Sequence, residues 1–337
     1  MCRDLIIDFA VATSISGAAK EYYEANLRSV VRTQCRAPSP PDLAGWREFK
    51  RNSIEKSLPI SEILTDRYRP TLIDAEFGGV PVIDIRPSTW LDDGKVLIYA
   101  HGGAYVDGSA ASSLNCTLPL ADETGLRIIA VDYSLAPLAR FPRSIEQVVT
   151  VVRDLHNAGY VLGDMALCGD SAGGALVTAA ALKLRADGLG LLGGIILRSP
   201  WADITETGDT YMTLKEAEPL LSYATFLSAA AYAYADPSDF THPYVSPVYA
   251  DFAGGFPPTL IQIGTRDLFL SNAVRLYQRI ASAGQQVSLD VYEGMWHGFH
   301  SLPVDLPEAQ VARAKACKFF EALWDRPYVS PPACQSP

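Results

Sequence analysis

The apolar positions of this 337-residue chain change period along its length. Residues 1 to about 65 carry a mixed, helix-like pattern punctuated by Pro38, Pro40 and Pro41, with no strand signal before Leu72. That segment is expected to form an N-terminal helical cap lying over the rest of the chain. Thr71 to Phe77 and Val80 to Ile85 then flank Gly78-Gly79, the spacing of a β-hairpin. Beyond it come short, continuous apolar runs: Lys95 to Ala100, Arg127 to Asp132, Met165 to Gly169, Gly194 to Leu197, Thr259 to Ile263 and Val287 to Val291. Helical patterns near 143–158, 172–187, 269–283 and 306–324 separate them. Strands that are apolar throughout, joined by helical crossovers, predict an α/β fold with a mostly parallel sheet covered on both faces. In such folds ligands bind outside the carboxyl ends of the strands.

One stretch breaks the rhythm. After Trp201-Ala202-Asp203, which follow the sixth strand, about 55 residues pass before the next strand, too many for a structureless loop. Tyr211 to Ala217 and Leu220 to Tyr234 within it are aromatic-rich and helical in pattern. The expected organisation is a cap segment (1–65), a catalytic domain in two parts (66–204 and 257–326), a lid insertion (205–256) and a proline-rich, loosely held tail (327–337).

Composition narrows the class. The chain is 48% apolar and 20% charged with a formal charge of −10, which suits a globular core and argues against a nucleic-acid or anionic-membrane surface. Cysteines 2, 35, 116, 168, 317 and 334 show neither a C-x-x-C pair nor metal-ligand spacing, so reduced thiols are expected and no metal. The first residues are interrupted by Asp4 and Asp8 and lack the form of a signal peptide. No apolar run reaches membrane-spanning length. A cytoplasmic protein without a cofactor follows as the expectation.

The chemistry concentrates at Gly169-Asp170-Ser171-Ala172-Gly173-Gly174, between an apolar strand and an alanine-rich helix. Strand, tight turn and helix is the context in which G-x-S-x-G presents a nucleophile, here Ser171. The backbone N–H of Ala172 opens the helix, where unpaired donors favour an anion. A turn of small residues also packs well without chemistry, so the partners decide. His101-Gly102-Gly103-Ala104-Tyr105 follows the strand at Lys95 to Ala100, and its glycines allow successive N–H groups to form an anion nest. Gly102, Gly103, Ala104 and Ala172 are thus the candidate oxyanion hole, with His101 as a structural residue of the loop.

A serine needs a base. Of His101, His156, His242, His297 and His300, His297 lies in a loop just past the last strand and before the final helix, able to reach back over the strand ends. Asp267, just past the strand at Thr259 to Ile263, is the candidate that orients it. The order Ser171, Asp267, His297 is the order of the α/β-hydrolase triad. Tyr105, Trp201, Tyr211, Met212, Trp296 and Phe299 are candidate walls of an apolar substrate pocket.

These pieces, with Asp132 to Pro137 and Ser199-Pro200-Trp201, resemble the hormone-sensitive-lipase-like (family IV) esterases of the α/β-hydrolase superfamily. The resemblance implies a serine carboxylesterase for short-chain or small cyclic esters, working through an acyl-enzyme, with an N-terminal helical cap. Dimers are common in that family, so a homodimer is an expectation. The region from Ser246 to His297 also resembles ε-lactone hydrolases, which makes a lactone the alternative substrate. A non-catalytic, small-molecule-binding relative lacks the catalytic histidine, whereas His297 is present here. Three positions depart from the family pattern: Ala104 for the third glycine, Leu138 for a glutamate expected to be a buried polar partner, and Ser271 for a second aspartate.

Overall fold

The computed structural model describes residues 11–27 and 37–325. Its sheet begins with the hairpin: β1 (Thr71–Phe77) and β2 (Val80–Arg86) pair antiparallel. Gly78 and Gly79 both take the positive φ that a two-residue turn requires. Next along the chain are β3 (Val96–Ala100), β4 (Arg127–Val131), β5 (Met165–Asp170), β6 (Gly194–Arg198), β7 (Thr259–Gly264) and β8 (Val287–Tyr292). They assemble in the order β1-β2-β4-β3-β5-β6-β7-β8. β2 meets β4 antiparallel, and every pairing from β4 through β8 is parallel. The buried apolar strands thus form a mostly parallel sheet, as their composition predicts.

Alternation along the strands divides the core in two. Ile98, Leu167, Leu197 and Ile261 face the layer built by α4 (Arg143–Asn157), α5 (Ala172–Ala186) and α8 (Leu270–Ser282). Leu97, Tyr99, Cys168 and Ile196 face α3 (Leu114–Thr124) and α9 (Pro307–Trp324). α3 lies where the sequence pattern shows no helix. It carries Pro119 and buries Leu114, Thr117, Leu118, Pro119, Leu120 and Ala121, so neither propensity nor a narrow apolar stripe marks it.

Two helices precede the sheet. α1 (Gly17–Asn26) is capped by Ser16, whose hydroxyl accepts the Ala19 N–H, and it packs Tyr22 and Tyr23 on Trp296. α2 (Leu43–Tyr68) is capped by Asp42 and packs along α3. The insertion after β6 is less helical than its pattern suggests. It holds one short turn, α6 (Thr210–Thr213), then a π-helical turn (Tyr223–Leu227) leading into α7 (Ser228–Tyr234). The loosely held tail expected at 327–337 lies outside the described residues. Leu138 is 64% exposed, so that position is not a buried one and the chain lacks no internal polar partner there. Among the described residues no helix is long and apolar enough to cross a membrane, and no group of three ligating side chains could hold a metal ion.

Candidate active site

At the carboxyl end of the sheet, β5 turns into α5 through one residue. Ser171 sits in that turn at φ +55° and ψ −120°, a strained conformation for a residue with a side chain. The turn is this sharp because two glycines let backbones touch. A Cβ on Gly169 would lie 2.3 Å from the Gly173 carbonyl oxygen, and one on Gly173 would lie 2.1 Å from that of Ala100. The Ser171 N–H donates to the Arg198 carbonyl, and the Ser171 carbonyl accepts from Trp201 and Gly174 N–H groups. Backbone bonds to β6 and its following loop therefore set the position of the hydroxyl.

The loop after β3 faces this turn. Gly103 and Ala104 have φ of +112° and +52°, and the Gly103 carbonyl accepts from both Val106 and Asp107. A Cβ on Gly103 would meet the Asp107 carbonyl oxygen at 2.2 Å. Asp107 itself accepts the Gly108 N–H and the Ser53 hydroxyl of α2, tying the helical segment to the loop. His101 is buried, stacked on Tyr133 at 4.2 Å, and its pKa is pushed down to about 4 by burial. It works as part of the loop's frame.

Asp267 and His297 come together on the third side. Asp267 follows β7 and is fully buried; one oxygen accepts the Phe269 N–H at 2.8 Å and the other lies 3.0 Å from His297 Nδ1. Burial by itself would depress the His297 imidazole, but the Asp267 carboxylate, helped by Glu218 and Asp170, outweighs it and lifts its pKa above the ordinary value. Ser171, His297, Gly102, Gly103 and Ala104 line one cavity of about 510 Å³, with Asp267 behind the histidine and Ala172 buried at the start of α5.

The aromatic walls proved different. Trp296 lines the cavity, but Tyr105, Trp201, Tyr211 and Phe299 do not. They are core residues: Trp201 stacks on Phe269 and donates to the Tyr211 hydroxyl, Tyr105 stacks on Tyr234 at 3.7 Å, and Phe299 packs with Tyr292. Met212 is 62% exposed, on the outside of α6. Tyr105, Trp201, Tyr211 and Phe299 are all buried. The apolar wall of the cavity comes instead from Leu220, Leu221, Phe226 and Leu227 of the insertion, with Tyr22 and Leu27 of the N-terminal segment.

A family model described as the alpha/beta hydrolase fold matches residues 97–301. An acetyl-hydrolase of Streptomyces hygroscopicus is 36% identical over 236 residues, 70% of this chain and 78% of its own. The crystal structure of an esterase E25 superposes with a TM-score of 0.86 at 28% identity, covering 95% of this chain and 96% of that one. A hormone-sensitive lipase from a metagenome library superposes at 0.74 with 29% identity, covering 84% and 98%. The chain is a hormone-sensitive-lipase-like member of the α/β-hydrolase family.

Two features of this hydrolase escaped the sequence reading. Glu218, fully buried in the insertion, accepts the backbone N–H of His297 on one oxygen (3.0 Å) and that of Leu220 on the other (2.8 Å). Burial first, and the Asp267 charge second, push its pKa up to about 7. Nothing local marks it: Lys215 and Glu216 stand just before it in an ordinary charged stretch, and its partner is 79 residues away. The second is Arg198 at the end of β6, 3% exposed and paired with Asp170, the residue before Ser171. Ser271, the departure near Asp267, donates its backbone N–H to the Thr210 hydroxyl.

Proposed function

We propose that this hydrolase cleaves short carboxylic esters through an acyl-enzyme on Ser171. The observation that carries the reading is the convergence of a strained serine turn, a buried Asp267–His297 pair and a glycine-rich loop on one cavity. His297, neutral before reaction, takes the Ser171 proton as Oγ attacks the ester carbonyl carbon. The carbonyl π bond opens and its electron pair moves to oxygen. Backbone N–H groups of Gly103, Ala104 and Ala172 are the donors assigned to that oxyanion, a role in which each is worth about 10²–10³ in rate.

The tetrahedral intermediate collapses with loss of the alcohol, which leaves carrying the proton from His297. Water then gives a proton to His297 and attacks the acyl carbon, releasing the acid and restoring Ser171. Asp267 fixes the imidazole tautomer with Nδ1–H toward itself, leaving Nε2 as the base, and stabilises the imidazolium. Glu218 holds the backbone of the same histidine. The N-terminal segment and the 205–256 insertion act as cap and lid, since both contribute side chains to the cavity wall.

A cavity of about 510 Å³ suits a small ester, and the acetyl-hydrolase name of one relative supports a short acyl group. Hydrolysis of p-nitrophenyl esters from acetate to dodecanoate tests the reading. Turnover should peak at the short chains; a maximum at the long ones would overturn it. A lactone is an intramolecular ester and needs the same steps, so ε-caprolactone belongs in the same series. Open-chain esters are expected to be faster.

A further inference from the structure

The cavity around Ser171 has an inner wall quite unlike its lid side. Tyr99, Asp170 and Arg198 lie at the ends of adjacent strands, with Tyr99 paired to Cys168 and Asp170 paired to Arg198. Alternation therefore sends all three side chains toward α3 and α9, where Cys116 and Asn115 complete the wall. Its charges are already matched. Arg198 donates through Nε and Nη2 to the two oxygens of Asp170 and through both terminal nitrogens to the Cys116 carbonyl; Tyr99 donates its hydroxyl to Asp170. The wall is polar yet carries no unmatched charge.

His300 is the exception. It lines the same cavity, is 2% exposed, and neither ring nitrogen has a hydrogen-bond partner among the described residues. Burial, reinforced by the nearby Arg198 charge, holds it well below the ordinary imidazole value, so the ring is neutral. A neutral imidazole has one donor and one acceptor. Leaving them unpaired in a buried site is costly, and a ligand group that pairs with the nitrogen facing the cavity removes part of that cost.

We propose that His300, beside the neutral Arg198–Asp170 pair, is a specificity residue that selects short esters bearing a hydroxyl group on the acyl or alcohol part. A hydroxyl can donate or accept, so it pairs with the ring nitrogen that faces the cavity in either tautomer. A carboxylate offers only acceptors and would meet a guanidinium whose charge is already matched. The proposal rests on Ser171 being the nucleophile of this cavity.

The test compares kcat/KM for pairs of matched esters on the full chain. Ethyl 3-hydroxybutyrate against ethyl butyrate probes the acyl side; 2-hydroxyethyl butyrate against propyl butyrate probes the alcohol side. At least one hydroxylated member should be preferred by about tenfold, the size of one net hydrogen bond. In His300→Phe that ratio should fall to about one, whatever happens to the absolute rates, while His300→Gln, which keeps a donor and an acceptor, should retain most of it. Equal rates within both pairs in the wild-type enzyme would overturn the proposal while leaving the esterase reading intact. So would an unchanged ratio in His300→Phe, or a preference for monomethyl succinate over the hydroxy esters. Failure to hydrolyse any of these esters would instead overturn the esterase reading, and this proposal with it.

Discussion

His297 and His300 lie three residues apart on the same loop, and their surroundings are opposite. His297 is wired on both ends: its ring meets Asp267 at 3.0 Å and its backbone meets Glu218 at 3.0 Å. Carboxylates on three sides raise its pKa. His300 has no partner for either ring nitrogen among the described residues, and burial together with the Arg198 charge keeps it neutral. The same side chain is thus held by carboxylates at one position and left a neutral, unpaired polar group at the other. The difference comes from the charges supplied by neighbouring strand ends and, through Glu218, by the insertion.

The comparison breaks most severely at Ser171, the proposed nucleophile. Ser171→Ala should lower ester turnover by on the order of 10⁵–10⁶ with the fold intact, measured as kcat and by circular dichroism. Asp267→Asn keeps the shape but lets the imidazole take the wrong tautomer; a loss of about 10⁴ in kcat is expected.

Glu218→Gln removes a charge from His297 but leaves an oxygen for one backbone N–H. A fall of roughly tenfold in kcat is expected from looser positioning of the base. The pH profile sharpens this. As the proposed base His297 must be neutral to act, so kcat/KM should fall as pH drops through its raised pKa. Taking away the Glu218 charge lowers that pKa, and the acid limb should move to lower pH. An acid limb unmoved in Glu218→Gln would mean that Glu218 is protonated throughout and acts only as a backbone tie. Smallest of all, Leu138→Glu, at an exposed position, should change stability by less than about 0.5 kcal/mol in chemical denaturation and leave turnover alone.

The inner frame was the legible part. Runs such as Val96 to Ala100 and Met165 to Gly169 carry no charged residue because both faces of the sheet are covered, and that composition marks them without any partner in view. The family assignment was also legible, since the serine turn and the His101 loop are local motifs with local causes. What stayed hidden depended on distant neighbours. α3 is buried nearly all round and interrupted by Pro119, so it has no readable stripe. Trp201 and Tyr211 look like pocket walls in sequence, yet they bond to each other inside the core. Glu218 and Arg198 acquire their roles only when the insertion folds back on the His297 loop and β6 aligns with β5.

The most direct test treats the enzyme with a p-nitrophenyl phosphonate. Ser171 Oγ displaces p-nitrophenolate from phosphorus, leaving a stable adduct that peptide mapping locates. Loss of p-nitrophenyl butyrate hydrolysis should track a single adduct on Ser171, one per chain. Hydrolysis that survives complete labelling of Ser171, or inactivation with the adduct elsewhere and Ser171 unmodified, would contradict the account.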